Sequence, residues 1–78
     1  MNNDTKKVIE RLKNAAGMGV KVSAVYKAAE VSPFRIKMFM AGTPYYEAIK
    51  PRVDGGANLT EKEVTSINAV LDDIKKSL

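Results

Sequence analysis

The chain contains no cysteine, no histidine and no tryptophan. Without cysteine there are no disulfides, no thiolate metal ligands and no thiol nucleophile. Without histidine, any acid–base or nucleophilic chemistry would fall to carboxylates, lysine, tyrosine, serine and threonine. The nine acidic residues are scattered among charged neighbours. No two of them share an apolar context that would drive their pKa values apart, as active sites require. The expectation is therefore no enzyme, no metal, no cofactor and no small-molecule ligand. Long apolar runs are missing too. Nothing approaches the roughly 18 apolar residues of a membrane span. Lys6-Lys7 is followed by V-I-E-R-L-K, which charge interrupts too often for a signal peptide. A cytoplasmic protein that acts by binding is what remains.

The 78 residues suit one domain, with 45% hydrophobic and 28% charged residues in ordinary globular proportion. A chain near this size buries only about 60% of the surface its unfolded form exposes, so a partner copy would add useful stability. The net charge of +4 is unevenly placed. Lys21, Lys27, Arg35, Lys37, Lys50 and Arg52 stand against Glu30 and Glu47 in the middle of the chain. Beyond residue 53, acids outnumber lysines. A basic body with an acidic tail fits a protein that meets a polyanion on one side.

The spacing predicts an all-α domain of four or five helices over about 4–16, 23–30, 33–41, 44–50 and 60–77. In the first, Asn2, Asn3 or Asp4 can cap, Val8, Ile9, Leu12, Ala15 and Ala16 recur at helical spacing, and Gly17 stops the helix. The Gly17-Met18-Gly19 stretch has neither the third glycine nor the preceding strand of a phosphate loop. Ser23 is the capping candidate for the second helix, with Val22, Val25, Ala28 and Ala29 inward. Ser32-Pro33 is a strong start for the third, since proline at the first helical position loses only a donor that has no partner there. Its inward stripe is Ile36, Phe39 and Met40; its outward arc collects Phe34, Arg35, Lys37, Met38 and Ala41, and Gly42 ends it. The turn between these two helices is three or four residues long, which is helix-turn-helix spacing.

Thr43-Pro44 opens a fourth element over Tyr45 to Lys50. Helix and strand both fit there, because Tyr-Tyr and Ile favour strands. Residues 52–58 carry turn chemistry. Thr60-x-x-Glu63 is a capping box, with Leu59 and Val64 at the staple positions. In the helix that follows, Val64, Ile67, Leu71, Ile74 and Leu78 alternate steps of three and four. This seam suits either a partner helix in a homodimer or the domain's own core.

The run K-A-A-E-V-S-P-F-R-I-K-M-F-M-A-G resembles the helix-turn-helix of phage-type repressors, the Cro and lambda-repressor-like group. Val31-Ser32, Ile36 and the Phe39…Gly42 end match that pattern. Tyr26 stands where the group usually has alanine, and Glu30 where it has the turn glycine. Glu30 must then accept a left-handed backbone or reshape the turn. About twenty residues carry the resemblance, which implies sequence-specific binding of double-stranded DNA as a phage-like or mobile-element transcription regulator.

On that reading the base-reading candidates are Pro33, Phe34, Arg35, Lys37 and Met38. Arg and Lys donate well to guanine O6 and N7, and apolar side chains can pack on thymine methyl groups. Phe34 and Met38 equally fit a protein-binding patch, or the core if the helical wheel is turned by one residue. Phosphate candidates are Lys21, Ser23, Lys27, Ser32, Tyr45, Lys50 and Arg52, contacts that position without reading sequence. The competing function is a small protein–protein interaction module that engages its partner through Phe34 and Met38 or through the C-terminal helix.

Overall fold

Four helices account for most of the described chain in a computed structural model: α1 (Asn3–Gly17), α2 (Val22–Ala29), α3 (Pro33–Ala41) and α4 (Glu61–Ser77). The structure describes residues 2–41 and 58–77, and among these no residue is in a strand. The expected element at 44–50, the closing Gly42 and the turn at 52–57 lie outside the described residues.

Local chemistry explains the helix ends. The Asn2 side chain accepts the Thr5 amide at 2.8 Å, and Asp4 sits in the first turn, where the helix dipole favours an anion. The far end of α1 is not made by Gly17, which is still helical. The Val20 amide reaches back to the Ala15 carbonyl at 3.0 Å and the Gly19 amide to that of Ala16 at 3.1 Å. Gly19 at φ 92 is the left-handed residue that allows both. Helix α2 ends with the same six-residue geometry: Val31 bonds to the Tyr26 carbonyl at 3.1 Å and Glu30 to that of Lys27 at 3.2 Å. Here the left-handed residue is Glu30, at φ 57 and ψ 42. Of the two expected outcomes, the glutamate therefore accepts a left-handed backbone.

The start of α2 differs from the expectation. Lys21 precedes its first residue without a side-chain cap, and Ser23 is exposed inside the first turn. Val22 packs against the core, which draws the helix start to it. The inward face is also rotated: Val25, Tyr26 and Ala29 are buried, whereas Ala28 is exposed. Tyr26 is 1% exposed and its hydroxyl donates to Met40 Sδ at 3.1 Å, so the buried phenol has a partner. Burial pushes its pKa above the ordinary tyrosine value.

One core joins all four helices. Val8, Ile9, Leu12 and Ala15 of α1 meet Val25, Tyr26 and Ala29 of α2, Ile36 and Phe39 of α3, and Ile67 and Leu71 of α4. Ala16, expected on this face, is exposed. Helix α2 packs chiefly on α4, and α3 rests on α1 and α2. Thr5 is fully buried within this packing, and its hydroxyl oxygen accepts the Leu59 amide at 3.0 Å, which seats the entry to α4. Nearby, the Asn2 amide donates to Asn58 Oδ1 at 2.6 Å. Along the outside, Arg11 of α1 donates to Asn68 Oδ1 at 2.7 Å and to Asp72 Oδ1 at 2.8 Å.

The apolar seam of α4 is used within the chain. Ile67 is 0% and Leu71 6% exposed, and Val64, Val70 and Ile74 pack partly buried against the same core. The steps of three and four that would fit a partner helix are here the stripe facing α1 and α2. Of the two readings of this seam, Ile67 and Leu71 follow the one in which it packs on the domain's own core, and Val64 and Ile74 lie partly buried beside them; Leu78 lies outside the described residues.

Candidate functional site

Helix α3 meets the core on one side and solvent on the other. Ser32 precedes it: the hydroxyl oxygen accepts the Arg35 amide at 3.4 Å and the carbonyl accepts the Ile36 amide at 3.1 Å. Pro33 takes the first helical position, as its missing N–H permits. Ile36 and Phe39 then point into the core and Met40 lies at its margin.

Arg35 does not point outward. Its Nε meets Glu63 Oε2 at 2.8 Å and its Nη2 donates to the Asn58 carbonyl at 3.1 Å. Its guanidinium carbon lies 5.3 Å from the centre of the Phe39 ring, within cation–π range. The Arg35 and Glu63 side chains are only 12% and 13% exposed. The expectation that Arg35 belongs to the outward arc is corrected: four residues before Phe39, it shares that residue's side of the helix and is held there by a carboxylate.

Glu63, expected only to cap, has a second role. Its Oε1 accepts the Thr60 amide at 2.8 Å, while its own amide donates to Thr60 Oγ1 at 3.2 Å. The reciprocal capping box is therefore complete, and the second carboxylate oxygen is left to take Arg35. Burial alone would raise the Glu63 pKa. The Arg35 hydrogen bond, the Thr60 bonds and the attraction of the guanidinium outweigh it and hold the carboxyl below the ordinary glutamate value. A single side chain thus starts α4 and fastens α3 to it.

The opposite side of α3 faces solvent. Phe34 is 70% exposed, Pro33, Lys37 and Ala41 are exposed, and Met38 is half-buried. Phe34, Lys37, Met38 and Ala41 line one shallow hollow of about 240 Å³. Of the base-reading candidates, Phe34, Lys37 and Met38 therefore come together, Pro33 stands exposed at the helix start, and Arg35 is separated from them. No acidic residue lies in α3. Lys21, Ser23, Lys27 and Ser32 are exposed on or beside α2 and its following turn, outside the lining of that hollow. Tyr45, Lys50 and Arg52 fall outside the described residues.

Compared with protein-family models, curated proteins and solved structures, the chain matches none.

Two other features complete the surface. A hollow of about 450 Å³ lies between the last turns of α1 and α4, lined by Met18, Val20, Leu71 and Ile74 with Arg11 and Lys75 among its polar residues. No helix among the described residues is long and apolar enough to cross a membrane.

Proposed function

We propose that the protein binds duplex DNA through a helix-turn-helix formed by α2 and α3, with α3 entering the major groove. The observation that carries this reading is the two-sidedness of α3. Ile36, Phe39 and the Arg35–Glu63 pair hold one side to the body, and the other presents Phe34, Lys37 and Met38 without any acidic side chain. A helix held from beneath and bare above is the form in which a protein inserts a reading element into a groove about 12 Å wide. The Glu30 conformation supports it, because it preserves a tight turn between the helices. Lys21 and Lys27, exposed and positively charged, are the phosphate contacts on this reading. As a regulator of transcription, such a protein would occupy or mark a promoter. Two copies on half-sites about one helical turn apart would have to pair through a surface other than the apolar stripe of α4.

The test is selection from a random-sequence duplex pool near physiological salt, followed by fluorescence anisotropy as salt rises. Enrichment of a defined sequence and a log–log slope near −0.9 per neutralised phosphate are expected. A flat salt response with no enrichment would sink the reading. It would favour a second one, binding of a protein partner at the same face, for which the 70% exposure of Phe34 in a largely apolar hollow speaks.

A further inference from the structure

Resting on the reading that α3 enters duplex DNA, we propose that its base recognition is directed chiefly at the 5-methyl groups of thymine, through Phe34, Met38 and Ala41.

The inference starts from Arg35. A guanidinium reading a base takes guanine O6 and N7 through two parallel bonds. In this fold the Nε and Nη2 of Arg35 are already engaged by Glu63 and the Asn58 carbonyl, and the side chain is turned away from the exposed face. Within α3 this leaves Lys37 as the exposed charged donor. An ammonium is a point charge with freely rotating donors and no fork to fix a base edge.

What the face does offer is apolar. Phe34, Met38 and Ala41 surround a shallow hollow, with Lys37 contributing to the same lining. An apolar occupant that lies beside negative charge suits it, because with Arg35 paired to Glu63, Lys21, Lys27 and Lys37 are opposed between residues 21 and 41 by Glu30 alone. In the major groove one group meets both conditions. The thymine methyl projects from the base edge between two phosphate strands, and phenyl and methyl side chains contact it well.

The test uses the full chain and two random-sequence duplex pools, one made with thymidine and one with deoxyuridine. Uracil keeps the pairing and the O4 acceptor and removes only the methyl group. The thymidine pool should yield an enriched duplex, and each contacted thymine changed to uracil should weaken binding about four-fold, the worth of one buried carbon. Phe34→Ala or Met38→Ala should weaken binding to the thymine duplex and bring the thymine-to-uracil ratio to about one, while the helical circular-dichroism signal persists. An enriched duplex indifferent to every thymine-to-uracil change would overturn the methyl reading and leave DNA binding standing. So would a ratio unchanged in both variants. Absence of any DNA binding would overturn both.

Discussion

Arg35 and Glu63 show how one ion pair can serve three elements. The carboxylate caps α4 with one oxygen and holds α3 with the other, and the guanidinium also reaches the Asn58 carbonyl in the segment leading into α4. Removing one member leaves the other largely buried without its counter-charge, which costs more than an exposed pair ever contributes. Arg35→Ala is expected to destabilise the fold by about 2–3 kcal/mol, scaled down from fully buried pairs because both side chains keep some exposure. Urea denaturation measures it; an unchanged midpoint would show that the pair is not needed. The acid limb follows from the same contact. The Glu63 pKa is lower in the folded chain than in the unfolded one, so in this range the unfolded chain binds more protons. Its stabilisation is present above the ordinary glutamate pKa of about 4.3 and is lost as pH falls through the lower folded value. As pH falls from about 6 through the ordinary glutamate range, Glu63→Gln should therefore lose less stability than the unmodified chain. Parallel acid-limb slopes in the two would remove Glu63 from the account.

At the scale of the element, two helices end in the same motif with different residues. Gly19 closes α1 at no steric cost, whereas Glu30 closes α2 with its Cβ crowding the backbone. Relief of about 1–2 kcal/mol of that strain, less about 0.5–1 for the freer unfolded chain, predicts that Glu30→Gly raises stability by about 0.5–1 kcal/mol. A melting temperature that falls instead would mean the glutamate side chain contributes something beyond the turn. Helix α4 makes the complementary point. Its heptad-like spacing is compatible with a partner, yet Ile67 is wholly enclosed by this chain. Ile67→Ala should cost about 2–4 kcal/mol, with a denaturation midpoint lowered equally at low and high protein concentration. A loss that disappears as concentration rises would return the seam to a subunit interface.

For the whole molecule, charge divides along the chain. Lys21, Lys27 and Lys37 are exposed around α2 and α3 with Glu30 as their acidic neighbour, whereas on α4 Glu61, Glu63, Asp72 and Asp73 stand against Lys62, Lys75 and Lys76. On the proposed reading, the surplus around α2 and α3 would draw that side toward a polyanion. If Lys27 neutralises one phosphate, Lys27→Ala should shift the log–log salt slope of DNA binding by about 0.9 toward zero and weaken all sequences alike. A variant with the slope intact would place Lys27 off the interface.

The sequence by itself determined the helices and most of the packing. Asn2, Ser32-Pro33 and Thr60-x-x-Glu63 act within four residues of the backbone groups they satisfy, and Val8, Leu12, Ile36, Phe39 and Ile67 recur at the helical period. Both are local facts that no distant contact has to supply. Where a local signal was weak, the core decided: Val22 drew the start of α2 past Ser23, and Met40 at the core's margin gave the hydroxyl of buried Tyr26 a partner, while Ala28 stayed exposed. Arg35 was readable in part, since it stands one turn before Phe39, but the residue that turns it inward lies 28 positions away. Periodicity says which side chains share a face; it does not say which charge waits opposite them. Only the tertiary structure could decide that α4's stripe faces its own core, and that the solvent side of α3 is apolar with a single lysine.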